Sequence, residues 1–343
     1  FFFYALPSPR VQNFWWFILP SFIFLSFLYL RKKIENLKSP HFLCALWFCF
    51  IIFSLSVAAV RGGVAGIREP FTRTYWEYTG NLPLAGELGL RDFVGSYVQL
   101  RDRLAIHSFT HPPGYTVTLY LWQKYLGASL LGMSMLAVVL GGAALFPIYY
   151  FFRNFVSEQV LRRGLQIFIF LPSFVMMSAT SMETTFVFFM WLAIAALHEG
   201  WKRHFLLSFG AGVLLALALF QNFLFLLLAP FFIFLFLHSY RQASLKSVLI
   251  WRVCCSLFGF FSFFIILYFI TRYSMIEHFF AARHFNSTWV DSNFESLPIY
   301  IAYLSMNIIA FFFYLGMANV ALLTRRLKIL FNPLINYFIA SFF

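Results

Sequence analysis

Charge is scarce in this sequence. Asp, Glu, Lys and Arg make up only 11% of its 343 residues, and just 12 are acidic. A chain built this way has few places for aqueous chemistry. Cysteine is scarce too: Cys44, Cys49, Cys254 and Cys255 all fall in or beside apolar runs, which excludes an external disulfide framework. There is no Walker loop, dinucleotide fingerprint, zinc-ligand spacing or nucleophile elbow. The chain also lacks an initiator Met and a signal peptide with a cleavage site. Its last apolar segment, 331–343, is short. The sequence is therefore expected to be part of a longer protein.

Hydrocarbon fills the rest. Hydrophobic residues make up 62% of the chain and Phe alone supplies 51 positions. A helical span needs roughly 20 apolar residues, and nine such runs are expected: 14–30, 42–60, 130–152, 164–177, 184–198, 205–220, 223–238, 253–271 and 298–323. None of their cores contains Asp, Glu, Lys or Arg. Backbone in lipid must satisfy its own hydrogen bonds, and the Phe-rich runs do not alternate as barrel strands do. The expected fold class is all-α, a polytopic transmembrane bundle with a long external first loop.

The net charge of +13 then belongs to the positive-inside rule rather than to nucleic acid. The deciding question is whether 112–126 crosses the membrane. If it lies at the surface, the inward loops 31–40, 153–163, 199–204, 239–252 and 324–330 carry 15 basic residues against Glu35, Glu158 and Glu199. If it spans, those basic groups move outside. The segment is also only about 15 residues long, short for a span, and contains Gln123 and Lys124. It is expected to be a surface helix. That choice puts three polar pieces on one external face: 61–129, the turn Ser178 to Glu183, and 272–297.

Residues 61–111 hold 5 of the acids and 6 of the basic residues. Within them, Leu90, Phe93, Val94, Tyr97 and Leu104 recur at helical spacing and predict an amphipathic helix over 90–104. A second helix is expected to start at Thr110-His111-Pro112-Pro113-Gly114, since proline suits a first helical turn. The N–H groups of Gly114 and Tyr115 would then face Thr110 and His111, and a helix start favours anions. His111, preceding a proline, is biased to extended backbone, and His107 lies four residues earlier. Either His can equally be a structural residue.

Among the acids, Glu77 sits in Tyr75-Trp76-Glu77-Tyr78, where partial burial would make it a better base. The alternative is an ordinary loop acid. Asp92 has a dipole-stabilising role available in a first helical turn. Thr180-Ser181-Met182-Glu183 fits a capping box with Thr180 as the cap, yet Glu183 is also the one ionisable group of its turn. The loop 272–297 offers Arg272, Arg283, His284 and Asp291, with Arg283 and His284 as phosphate contacts. Asn286-Ser287-Thr288 matches a glycosylation sequon, a pattern common by chance.

A long first external loop carrying an acid, a His-Pro-Pro element opening a helix near its end, and a short external turn with a second acid together resemble the GT-C superfamily. These are membrane glycosyltransferases that use polyprenyl-phosphate sugars, and the protein O-mannosyltransferases and aminoarabinose transferases share the layout. Here the elements are Glu77, His111-Pro112-Pro113-Gly114 and Glu183, and the resemblance covers residues 42–220. Two features depart from it: no acidic pair surrounds Glu77, and the span 14–30 precedes the module. The resemblance implies an inverting transfer of a hexosyl or mannosyl-like sugar from its polyprenyl phosphate to an acceptor hydroxyl of a lipid, glycan or protein. It implies Glu77, Glu183 and Asp92 as catalytic residues, and His107, His111, Gly114 and Arg283 as donor-phosphate ligands. Glu183 would position the acceptor or a divalent cation, Mg or Mn. It also implies a plasma-membrane protein with an outward-facing site, whose grooves hold the polyprenyl tail among membrane lipids.

Three parts are expected: 1–41, with a span and a basic loop; the module 42–220, including the loop 61–129; and the further helices 221–343. Two other functions stay open. One is a lipid or small-molecule transporter, although ion-coupled transporters place ionisable groups near the bilayer midplane, whereas these cores hold no Asp, Glu, Lys or Arg and carry scattered Gln166, Gln221, Asn222, Asn307 and Asn319. The other is a non-catalytic membrane assembly protein, which would tolerate neutralisation of its external acids.

Overall fold

The structure, a computed structural model, describes residues 15–290 and 295–316. Asp291, the later part of the run 298–323, the group Arg325/Arg326 and segment 331–343 lie outside the described residues. Among the described residues the chain is helical, without a strand. In order come α1 (Ile18–Glu35), α2 (Ser39–Ala59), α3 (Val64–Thr72), α4 (Leu82–Gly95), α5 (Gly114–Leu126), α6 (Leu130–Gly142), α7 (Leu145–Phe152) and α8 (Glu158–Phe168). They continue with α9 (Pro172–Thr180), α10 (Glu183–Arg203), α11 (Phe205–Gln221), α12 (Ala229–Gln242), α13 (Lys246–Thr271), α14 (Met275–Val290) and α15 (Leu297–Leu315).

Five stretches are long and apolar enough to cross a membrane: Ser39–Ala59, Leu130–Phe152, Glu183–Arg203, Phe223–Gln242 and Lys246–Thr271. They coincide with five of the nine expected runs. Each of the others has a local reason to fall short. Helix α1 continues through Arg31, Lys32, Lys33 and Glu35. The run 164–177 is divided between α8 and α9, which together are long and apolar enough for a sixth, broken span but meet at a 51° bend, where Pro172 starts the second helix. Helix α11 has 17 residues, and α15 is described only to Leu315. Helix α5, with 13 residues, is about 20 Å long at 1.5 Å per residue. That is well short of a hydrocarbon core of about 30 Å.

Helices α10, α11 and α13 pack side by side. Small residues permit their close approach, as membrane helices without a hydrophobic driving force require. A Cβ on Gly212 would collide with the Ser256 carbonyl oxygen, and one on Gly259 with the Phe209 carbonyl oxygen. The outward side of α13 is hydrocarbon: Phe258, Phe261, Ile265 and Phe269 are all exposed at successive helical turns. A continuous apolar stripe of this kind fits a lipid surface.

Polar contacts gather at the helix ends. At one end Arg162, nearly buried, donates to the Glu35 and Leu37 carbonyls at 2.7 and 2.6 Å. It also donates to Ser39 Oγ at 2.9 Å and pairs with Glu158 at 2.6 Å. The basic loop 31–40 is thereby locked to the start of α8. At the other end the connection 60–113 meets the ends of α11 and α13.

Two local expectations are corrected. The helix expected over 90–104 ends at Gly95 and is followed by turns and a short 3-10 segment, Arg101–Arg103. Gly95 is pressed against the Thr271 carbonyl oxygen, so the chain turns where α4 meets the end of α13. Its apolar set still buries, since Phe93, Val94, Tyr97 and Leu104 are all in the interior. The capping box is also different. Helix α9 runs through Thr180 and α10 opens at Glu183, so Thr180 is not the cap. Instead the Glu183 N–H donates to Ser181 Oγ at 3.3 Å, and that hydroxyl donates to Glu183 Oε2 at 2.9 Å.

The glycine contacts yield a prediction. Gly212→Val should destabilise the protein by about 1–3 kcal/mol through overpacking. Gly210→Val, where a Cβ meets nothing within 4 Å, should leave the thermal midpoint in detergent unchanged. Fluorescence-detected melting of both variants checks this.

Candidate functional site

The polar connection is folded by its own backbone. Trp76 and Glu77 N–H groups both donate to the Arg73 carbonyl, at 2.8 and 2.9 Å, which turns the chain tightly. Further on, Ile106 and His107 N–H groups donate to the Tyr75 and Trp76 carbonyls, each at 3.1 Å. These two bonds lay residues 106–107 against 75–76. As a result Glu77 Oε2 and His107 Nδ1 stand 3.7 Å apart, with the Glu77 side chain 15% exposed and the His107 side chain 43% exposed.

Asn81, fully buried, fastens this arrangement to α5. Its Nδ2 donates to Ser108 Oγ at 2.6 Å and Thr116 Oγ1 at 3.0 Å, and its Oδ1 accepts from the Ala105 N–H at 2.7 Å. His111 lies on the same side. Its Nδ1 is 2.7 Å from the His107 carbonyl oxygen, a geometry that assigns the proton to Nδ1 and leaves Nε2 as the free acceptor.

Tyr78 is the centre of the cluster. Its ring is 4.8 Å from Tyr115, 5.9 Å from His111 and 6.1 Å from His107. The side chain is buried, yet its hydroxyl has no hydrogen-bond partner. A buried hydroxyl left this way costs about 1–3 kcal/mol. Tyr115 differs, because its hydroxyl accepts from Asn222 Nδ2 at 3.1 Å. Asn222 sits at the break between α11 and the next helical segment, so the cluster is bounded by the end of α11.

The electrostatics of these groups are shared. The Glu77 carboxylate holds the His107 pKa above the ordinary imidazole value against the opposing effect of burial, and Glu183 adds to the rise. His111 goes the other way. Burial lowers its pKa, more than the His107 carbonyl and Glu183 raise it. Burial also holds the Tyr78 phenol well above its usual range, with Tyr115, Glu183 and Glu77 contributing, so its proton stays on. An imidazole whose charged form is favoured, an imidazole whose neutral form is favoured, a protonated phenol and the Glu77 and Glu183 side chains therefore share one electrostatic neighbourhood.

The expected site residues divide. Glu77, His107, His111 and Glu183 are brought together. Gly114 joins them as a packing joint: it is buried, and a Cβ there would collide with the Phe220 carbonyl oxygen. The start of α5 is thus closed against α11 rather than open. Asp92 is exposed beyond the break at Gly89, where φ is 74°, and Arg283 is exposed on α14. Neither side chain has an ion pair or hydrogen bond among the described residues. The segment after α13 does reach the connection elsewhere. His278 lies 5.1 Å from the Tyr97 ring and 2.7 Å from the Tyr273 hydroxyl, while Arg101 stacks over Phe285 at 4.7 Å.

Among the described residues no three His, Cys, Asp or Glu side chains are grouped to hold a metal ion. The chain matches no protein-family model, no curated protein and no solved structure.

Sequence reading missed Tyr78, Asn81, Tyr115 and Asn222. Tyr78 had a signal, as the neighbour of Glu77. Asn81 had none, because its partners lie 24 to 35 positions away.

The His107 imidazole should titrate above the ordinary value of about 6.5, and Glu77→Gln should lower its midpoint, as followed by NMR of labelled histidine. The Glu77–His107 attraction contributes to stability below the unfolded-state pKa and is lost as pH rises through the higher folded-state value. Asn81→Ala removes three buried hydrogen bonds and should cost at least about 2 kcal/mol, read as a lower thermal midpoint.

Proposed function

We propose that this protein is a membrane-embedded glycosyltransferase, and that the cluster of Glu77, His107, His111 and Glu183 moves a sugar from a polyprenyl phosphate to an acceptor hydroxyl. The observation that supports this reading most directly is the Glu77–His107 pair beside the unpartnered Tyr78 hydroxyl. It supplies a carboxylate base, an imidazole whose charged form is favoured and an unused O–H donor at one helix-bundle end. The nine-span topology belongs to the same proposal. It sets this end outside the plasma membrane, because the opposite end carries the Arg162 cluster and the basic loops.

In this reading Glu77 accepts the proton of the acceptor hydroxyl. The acceptor oxygen bonds to the anomeric carbon as the bond from that carbon to the phosphate oxygen breaks, and the electron pair leaves with the phosphate. Attack from the side opposite the leaving group inverts the centre. Protonated His107 offsets the charge that grows on the departing phosphate, and the Tyr78 hydroxyl donates a hydrogen bond to it. His111, neutral and fixed by the His107 carbonyl, orients a donor group through Nε2. Glu183 supports the positive charge on His107. Asp92 and Arg283, both exposed, are outer contacts for the acceptor and the phosphate. Gly114 sets how closely α5 approaches α11. The polyprenyl tail lies along the exposed apolar helices.

Transport is the second reading, and His198 favours it. This residue is 2% exposed within α10, neither ring nitrogen has a hydrogen-bond partner, and it packs against Phe151 and Phe155. An ionisable group inside a membrane-length helix is a natural transport element.

The decisive experiment gives the purified full-length protein polyprenyl-phosphate sugars and measures transfer or hydrolysis. Glu77→Gln should lower kcat by about 10²–10⁴-fold, the scale of a general base, without changing the thermal midpoint by more than a few degrees. Absence of turnover with every such donor, alongside substrate flux that depends on His198, establishes the transport reading instead.

A further inference from the structure

The opposite end of α10 holds a recess. Glu183 opens this helix and Lys202 nearly closes it, so the two lie roughly 30 Å apart along its axis. The recess, of about 380 Å³, lies between the end of α10, the end of α12 and the first turn of α13. Its polar lining is Lys202, Arg252, Ser239, Gln242 and Ser244, with no carboxylate among the lining residues. Trp201 and Leu249 supply apolar wall.

The two cations are held differently. Arg252 donates from Nη1 to the Trp201 carbonyl at 2.8 Å and from Nη2 to the Arg203 carbonyl at 3.0 Å. These bonds cap the end of α10, offset its negative dipole end and fix the guanidinium with further N–H groups to spare. Lys202 has no ion pair among the described residues, whereas the nearest acid along the helix, Glu199, is engaged by Arg203 at 2.6 Å. The positive charge in the recess is therefore unneutralised. The start of α13 has no side-chain cap, which adds a weaker attraction for an anion.

The surroundings are amphipathic. All three contributing helices belong to the membrane-length set, so their ends lie at the level of lipid headgroups. Leu245 and Trp251 stand exposed beside the recess, and the exposed stripe of α13 continues away from it. Cations at one end of a bare apolar helix face match a molecule with a phosphate at one end and acyl chains at the other.

We propose that this recess binds the phosphate of an anionic phospholipid, held by Lys202 and Arg252, with the acyl chains along α13. Basic hollows between helix ends are suited to such headgroups, and the shared chemistry, a phosphate anion, also admits soluble phosphate.

The test reconstitutes full-length protein into nanodiscs of phosphatidylcholine doped with phosphatidylglycerol and identifies retained lipid by native mass spectrometry. Phosphatidylglycerol should be enriched on the wild type. Lys202→Glu should lower that enrichment about tenfold, and Lys124→Glu, on α5, should leave it unchanged. Ser244→Phe, on the exposed α12–α13 connection, obstructs the recess without altering charge and should also reduce it. Equal retention of the two lipids, or enrichment indifferent to both recess substitutions, overturns the proposal. Binding of inorganic phosphate in detergent without phosphatidylglycerol enrichment assigns the recess to a soluble anion and overturns the lipid reading.

Discussion

Backbone buried in hydrocarbon must hydrogen-bond to itself, and this leaves the polar side chains of the protein little room except at helix ends and in one long connection. The helix cores are given over to Phe, Leu and Ile, while carboxylates, guanidinium groups and most imidazoles crowd the two ends. The polar cluster at one end and the basic recess at the other are both products of that segregation. One brings carboxylates, imidazoles and a phenol together, and the other brings cations without acids.

Within the connection the organising contacts are modest in number. Two backbone hydrogen bonds align residues 75–76 with 106–107, and Asn81 ties the alignment to α5. Gly114 then lets α5 settle against the end of α11. Each contact fixes the position of the next, so the 3.7 Å spacing of Glu77 and His107 depends on backbone bonds and on Asn81 as well as on the pair itself. The buried Tyr78 hydroxyl stands out against this economy. Asn81, Ser108 and Thr116 satisfy one another there, whereas the Tyr78 hydroxyl, like Arg101 Nε, has no hydrogen-bond partner.

The same segregation makes the basic end more than a topology signal. Arg162 and Arg252 both spend their donors on carbonyls at helix ends, joining elements that the sequence separates by more than a hundred positions in one case and about fifty in the other. Their charges hold the bundle together there, and around Arg252 they remain available to an anion as well.

Much was legible in the residues alone. Long apolar runs determined a helical bundle, because hydropathy over a window reports burial directly. The brevity of 112–126 determined that α5 is not membrane-length, and the proline pair fixed its start. The acid and histidine positions were also visible as candidates, since charge is so rare that each one is conspicuous. The tertiary structure alone decided which candidates meet. Glu77, His107, His111 and Glu183 converge while Asp92 and Arg283 remain exposed, because backbone pairing and close helix contacts act across long separations that no local pattern encodes. For the same reason only the folded chain showed that Ser181 engages Glu183, that the amphipathic stretch turns at Gly95 where α13 blocks it, and that Asn81 holds the site together.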